Sequence, residues 1–293
     1  RATVGNVYEQ IISDLNSAID LLEGYNRQGD KTRIDQQVAY GLRARAHLYM
    51  GMWQEAYSDA DKAMEGYTPY TKEEVSKPAF YDISDHNWMW GINVSVPMVN
   101  KNAYATPAGQ LGSFSSYAYT AGVAMYKTIN SLLYKKISTS DVRKQWWVDE
   151  NLKSDALSGL SWGSAIGNDI STLEIEDVKM KFIKYTNVKF GMKSGIGSSN
   201  NDNDWCIMRA EEMLLTAAEA YCHAGNDPEA KNYLTKLMAL RDPSYKCELS
   251  GKTYDEGGLT LGSAGAKQAP QSLLEEILVQ RRIELWGEFG RIF

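Results

Sequence analysis

Two stretches of this chain share a pattern that fixes most of what it can fold into. Tyr40 to Ala63 reads YGLRARAHLYMGMWQEAYSDADKA, and Leu214 to Leu237 reads LLTAAEAYCHAGNDPEAKNYLTKL. Displaced by 174 positions, Ala44 falls on Ala218, Ala46 on Ala220, Gly51 on Gly225 and Ala56 on Ala230. Small residues let two antiparallel helices approach closely, and a glycine between them supplies the turn. That is the skeleton of a tetratricopeptide repeat. The expected fold class is therefore mainly α, with tetratricopeptide-like helical pairs (an α/α superhelix). Such scaffolds more often bind partners than perform chemistry.

Helical order extends on either side of these stretches. Val7, Ile11, Leu15, Ala18 and Leu22 share one face of a helix over residues 4 to 23, with Ile12 and Ile19 beside them and Gly24 as its stop. Asp35 is placed to cap the next helix, which runs to Met50, and Trp53 to Glu65 returns antiparallel. A helix is expected from Met208 to about Ala224. Asn226 or Asp227 then caps another, with Pro228 at its first position, ending near Arg241-Asp242-Pro243. Ser272-Leu-Leu-Glu275 is a capping-box pattern opening the last helix.

Between these ends the composition changes. Residues 66 to 204 are rich in Gly, Ser, Asn, Tyr and Trp and show regular periodicity only in patches. Asn87 to Val96 and Val178 to Tyr185 alternate like strands, and Gly122 to Tyr134 reads as a helix. The expected organisation is a helical scaffold from residues 1–65 and 205–293, with 66–204 as a loop-rich, aromatic insertion carrying short β-strands and packed on that scaffold as one structural domain. Long loops on a rigid frame are where binding residues tend to sit.

Composition narrows the function. A net charge of −6 leaves no basic face for phosphates, so no nucleic-acid partner is expected. Cys206, Cys222 and Cys247 have no CxxC spacing, and His47, His86 and His223 fall in separate segments without HxxxH spacing, so neither a metal nor a cofactor is expected. Gly195-Ile-Gly197 lacks the third glycine and the following helix of a dinucleotide loop. Asn200 to Asp204 (NNDND) has oxygen ligands suited to Ca²⁺ but not the twelve-residue loop pattern, and reads as a solvated loop. No GxSxG elbow suggests a nucleophile. No apolar run is long enough to span a bilayer, and no signal segment opens the chain. With no Met at Arg1 and an end at Phe293 just past a strong helix, the sequence reads as part of a longer protein.

Several motifs resemble the SusD/RagB family of Bacteroidetes outer-membrane lipoproteins. They are Arg1-Ala-Thr3 followed by VYEQIISDLNSAI, the repeat ending LYMGMWQEA, Trp205-Cys-Ile-Met-Arg209-Ala-Glu211 entering LLTAAEAY, and Gln280-Arg281-Arg282-Ile-Glu284-Leu-Trp-Gly-Glu288. Asp141-Val-Arg143 and Lys184-Tyr185 match lesser landmarks. The resemblance covers the two helical ends well and the middle thinly. It implies the central and C-terminal part of a non-enzymatic, surface-exposed glycan-binding protein that delivers ligand to a SusC-like TonB-dependent transporter. It also implies an outer-membrane location, through a lipid anchor that this chain does not contain.

Sugar capture needs flat aromatic faces for the apolar C–H surface of a pyranose and polar side chains to select hydroxyls. Eighteen Tyr and eight Trp against six Phe favour rings with a polar handle. Candidate platform residues are Tyr104, Tyr117, Tyr119, Trp162 and Trp88, with Asn102 and Gln110 as polar partners. Each ring reads equally as packing under a loop, and Trp90 reads as core. Arg281, Arg282, Glu284 and Glu288, with Arg209 and Glu211, read as an ion network stitching the last helix to the rest. Two rival readings stand beside the glycan binder. One is a helical-repeat scaffold binding peptide or protein. The other is an α-helical glycoside hydrolase, which would need two carboxylates at catalytic separation facing a cleft.

Overall fold

The computed structural model describes residues 2–95, 128–159, 184–191, 193, 203–253 and 269–288, together with the backbone of strands at 161–162, 165–166, 174–175 and 178–179. The chain divides into two compact units. The first comprises Arg1–Pro69, His86–Gly91 and Ile207–Leu285; the second comprises Tyr70–Asp85, Ile92–Cys206 and Trp286–Phe293. The class is mainly α.

In the first unit, α1 spans Val4–Leu21, α2 Gln36–Met50 and α3 Trp53–Ala63. Thr3 caps α1 and Asp35 caps α2, where its carboxylate accepts the Val38 N–H at 2.9 Å. The apolar stripe of α1 is covered on one side only: Ile19 is buried, while Val7 and Ile11 stay 47% and 39% exposed. Further helices span Ala210–His223, Asp227–Met238 and Leu273–Glu284. Numbered after α4 of the second unit (Ser131–Lys136), these are α5, α6 and α7.

The internal repeat is exact at its turn. Gly51 (φ +73°) and Gly225 (φ +82°) both adopt the left-handed conformation that glycine accepts without steric cost. The Met52 N–H then reaches back to the His47 carbonyl at 2.9 Å and the Gly51 N–H to Leu48 at 3.2 Å. In the second copy Asn226 reaches Tyr221 at 2.9 Å and Gly225 reaches Cys222 at 3.0 Å, the same bonds 174 positions on. Ala44, Ala56, Ala218 and Ala230 are all fully buried, so the alanines do form the seams. The equivalent cross-helix pairs carry different chemistry: His47 and Asp59 in the first hairpin, stacked Tyr221 and Tyr233 in the second, with centroids 5.4 Å apart. Tyr57 stacks on Tyr221 at 3.9 Å and Trp53 on His223 at 4.0 Å, joining α3 to α5.

Asp59 is buried with its charge satisfied. His47 Nδ1 lies 2.9 Å from Asp59 Oδ2, and Arg43 donates to both carboxylate oxygens at 2.7 and 2.8 Å. Burial pushes the Asp59 carboxyl up, but the hydrogen bonds from Arg43 and His47 outweigh it and hold its pKa below the ordinary value. A carboxyl depressed in the folded state stabilises above its unfolded pKa, and that contribution is lost as the pH falls through the folded one. Asp59→Asn is therefore expected to lower stability by about 1.5–3 kcal/mol at pH 7, with the gap to the parent closing below about pH 4. Urea melts at pH 7 and pH 3 read both values, and a gap of equal size at both would refute the assignment.

One pair of strands leads into the helices. Trp88–Ile92 (β1) pairs with Trp205–Arg209 (β6), and β6 runs directly into α5. Sequence periodicity places a helix from Met208, but Met208 and Arg209 are extended and Ala210 is the first helical residue, its N–H bonded to the Asn87 carbonyl at 2.9 Å. Gly41 of α2 lies where a Cβ would come within 2.4 Å of Met208 Sδ, so a side chain there would collide with this strand. Asn226 caps α6 and Ser272 caps α7, each accepting an N–H three residues on. The expected capping box at Ser272 is displaced: Glu275 accepts from the Gln271 N–H at 2.6 Å.

The predicted ion network exists, with a different membership. Arg209 lies 2.9 Å from Glu284 Oε1 and 3.0 Å from Glu211 Oε2, while Arg241 lies 2.9 Å from Glu284 Oε1 and 3.2 Å from Glu211 Oε1. Asn87 adds its side-chain amide to Glu211 at 3.0 and 3.1 Å. These four charged side chains are at most 1% exposed. The two cations and two anions balance, which is what allows them inside. Arg281 turns instead to Glu219 at 3.1 Å and to the Thr216 hydroxyl at 2.9 Å.

The second unit is irregular and aromatic. Its described backbone holds α4, short 3₁₀ turns at Glu74–Ser76, Val142–Trp146 and Asp155–Leu157, and two two-stranded hairpins. In these, Ser161–Trp162 (β2) pairs antiparallel with Ala165–Ile166 (β3), and Glu174–Ile175 (β4) with Val178–Lys179 (β5). Of the helix expected over Gly122 to Tyr134, residues 122–127 lie outside the described residues; Thr128 bridges Thr186, Asn130 is extended, and the helix it caps runs Ser131–Lys136. The strand expected over Val178 to Tyr185 is present at 178–179, while Lys184 and Tyr185 form a turn. Phe80, Trp146, Trp147 and Phe190 make the core, and the Trp146 indole N–H donates to the Val75 carbonyl at 2.9 Å.

Candidate functional site

Tyr104, Tyr117, Tyr119, Asn102 and Gln110 lie outside the described residues, as do Asn200 to Asp202. Trp162 sits on β2 opposite Ala165, where only the backbone is described. Trp88 is a correction. Its side chain is fully buried on β1, and a ring with no accessible face cannot stack on a sugar. Trp90 is partly buried against the helical core.

The structure does define what holds the residues that flank 96–127, Val94 on one side and Thr128 and Ile129 on the other. On its N-terminal side, the buried Asp204 carboxylate accepts the Val94 N–H at 2.7 Å and the Ile83 N–H at 2.8 Å, and it pairs with Lys193 Nζ at 2.6 Å. The neighbouring Asn203 amide donates to the Gly191 carbonyl at 2.7 Å. The end of the NNDND run is thus a buried clasp, where its polarity alone suggested a solvated loop. On the C-terminal side, Thr128 bridges Thr186 and the Ile129 N–H donates to the Tyr185 carbonyl at 3.2 Å.

Tyr185 itself is a feature that periodicity does not reveal. Its backbone is left-handed (φ +66°), its ring leans on Tyr134 with centroids 4.8 Å apart, and its hydroxyl donates to Glu150 Oε1 at 2.7 Å. Tyr134 is buried, and burial pushes its phenol up to about 12; Lys144 lies over its ring at 4.8 Å. The Glu150 carboxyl is exposed and held below the ordinary range, first by the Tyr185 hydroxyl and then by Lys184.

The other motifs resolve into structure. Arg143 is buried and grips Asp141 at 2.6 Å. His47 serves Asp59, His86 meets the Thr68 hydroxyl at 3.0 Å, and His223 stacks on Trp53. Among the described residues no group of three His, Cys, Asp or Glu side chains could hold a metal ion. Glu211 and Glu284 are close together, but both are fully buried and gripped by guanidinium groups, so they bridge cations and offer no acid or base to a substrate.

The comparisons with known proteins bear on this geometry directly. The model of the SusD family matches residues 163–293, a span that holds Arg209, Glu211, Arg241 and Glu284. A SusD-like carbohydrate binding protein from Bacteroides vulgatus ATCC 8482 is 26% identical, with a TM-score of 0.64, over 98% of this chain and 50% of that one. Residues 163–293 thus resemble the SusD family, and the chain as a whole resembles a SusD-like protein. A SusD superfamily protein from Bacteroides thetaiotaomicron VPI-5482 shares the fold at 23% identity and a TM-score of 0.58, over 98% of this chain and 54% of that one. Surface glycan-binding protein A from Bacteroides thetaiotaomicron, in complex with laminarihexaose, shares it at 16% and 0.54, over 98% of this chain and 60% of that one. The chain thus spans about half the length of these SusD-like relatives. None of the curated proteins compared matches it.

Proposed function

We propose that this chain is part of a non-enzymatic, cell-surface glycan-binding protein that hands oligosaccharide to a SusC-like TonB-dependent transporter. The observation that carries the reading is the 26% identity to a SusD-like carbohydrate binding protein along nearly the whole chain. A second relative of the same fold holds laminarihexaose. In mechanism, the paired helices supply a rigid frame. Tyr104, Tyr117, Tyr119 and Trp162 stack on sugar rings, and Asn102 and Gln110 select hydroxyls. Trp88, being buried, takes no part. Weak individual contacts suffice at a cell surface, because a repeating polymer facing many copies raises the effective concentration. The attachment would be a lipid anchor at the outer membrane; among the described residues no helix is long and apolar enough to cross a bilayer.

Native affinity gels cast with laminarin, starch, xylan or galactomannan test the reading. Retention by at least one gel is expected, and alanine at Tyr104, Tyr117, Tyr119 or Trp162 is expected to weaken it roughly threefold to tenfold each. Binding unaltered by all four substitutions removes the site. Hydrolysis of a retained polymer removes the non-enzymatic reading, and retention of peptides in place of glycans favours the helical-scaffold alternative.

A further inference from the structure

We infer that Tyr185, together with Glu150, forms a further carbohydrate-contacting subsite in the second unit. The inference rests on the glycan-binding reading above and adds residues that reading does not use. The first observation is conformational. Left-handed backbone favours glycine or asparagine and is uncommon for a bulky side chain. Yet Tyr185 is held there from both sides, its N–H on the Val148 carbonyl at 3.0 Å and its carbonyl taking the Ile129 N–H at 3.2 Å. Strained residues over-determined by their surroundings cluster at ligand sites, and here the strain aims a ring.

The second observation is what the ring offers. Tyr185 is half-buried: it leans on the buried Tyr134 while its hydroxyl reaches the exposed Glu150. An apolar face edged by an ionised, solvent-facing carboxylate is what a pyranose requires, a surface for its C–H groups and an acceptor for its hydroxyls. The third observation is position. Thr128, the first described residue after the 96–127 segment, bridges Thr186, next to Tyr185. The backbone that carries the ring is thereby anchored to the stretch leading into α4.

The test uses the full chain in the same gels, with thermal melting alongside. Tyr185→Asn removes the ring and tolerates the left-handed backbone. It is expected to melt at or above the parent temperature while losing about fivefold or more in affinity for the retained polysaccharide. Tyr185→Phe keeps the stacking face and is expected to lose less than about threefold. A parent retained by a gel and a Tyr185→Asn variant retained equally well overturn the subsite and leave the glycan reading standing. A parent retained by none of the gels removes both. Should Tyr185→Asn melt lower, Glu150→Gln, which leaves the ring in place, decides: weaker retention upholds the subsite, and unchanged retention overturns it.

Discussion

Glu284→Ala is expected to cost about 3–5 kcal/mol of folding free energy, enough to remove much of the stability of a domain that holds only about 5–15. Glu284 Oε1 takes both Arg209 and Arg241 at 2.9 Å, Oε2 takes Arg241 Nε at 3.0 Å, and the Glu284 carbonyl takes Arg209 Nη2 at 2.7 Å. Removing the carboxylate leaves two buried guanidinium groups to share Glu211, so the interior carries an excess positive charge that water cannot reach. The loss measures that uncompensated charge more than the worth of the pairs themselves. The exposed pair Asp30–Arg33, with side chains 43% and 68% exposed, provides the contrast. Asp30→Ala is expected to leave stability nearly unchanged, because solvent already screens the pair. Denaturant melts of the two variants against the parent decide the matter. Similar small losses in both would show that the buried cluster is not organising β6, α5 and α7.

The same cluster shows what a sequence reveals and what it conceals. The helical pairs were legible because their determinants are local: alanines at helical spacing, a glycine at each turn, and caps at Asp35, Asn226 and Ser272. Arg209, Glu211 and Glu284 were recognisable as a set through the family resemblance, but Arg241 was not. It follows α6 in a turn, and its partners lie 30 and 43 residues away. The start of α5 was misplaced because a short apolar run such as Trp205–Met208 fits a strand and a helical turn equally. Strand alternation put Trp88 and Trp90 on one side, but it carries no information on whether that side meets solvent; burial of Trp88 is a tertiary fact. Tyr185 was noted only as a lesser landmark, since nothing local announces a left-handed tyrosine. The NNDND run was read from polarity, which says how a side chain prefers water and not what a folded backbone can offer it. Asp204 finds two amides and an ammonium group there.

Lys189 carries this furthest, and it gives the second large expected effect. Pattern reading assigns a lysine to solvent, yet this side chain is fully buried. Its ammonium lies 2.5 Å from Glu288 and 2.9 Å from the Trp286 carbonyl, and 4.6, 4.9 and 5.2 Å from the ring centres of Trp146, Phe80 and Phe190. Aromatic faces present negative charge to a cation, so the cage replaces part of the lost hydration, to the extent of about 2 kcal/mol when the ion is desolvated. Lys189→Met keeps the volume and removes the charge. It is expected to lower stability by about 3–5 kcal/mol, because the carboxylate of Glu288 loses its cation in a site closed to water. Adding Glu288→Leu should then recover most of that loss, since an apolar pair of similar size dispenses with both desolvation terms. The double-mutant cycle separates two roles for the lysine. Recovery in the double variant makes it a counter-ion for Glu288. A loss that persists undiminished shows instead that the ammonium is held for the Trp286 carbonyl and the three rings, so that it fixes the chain just after α7 through the cage and not through the ion pair.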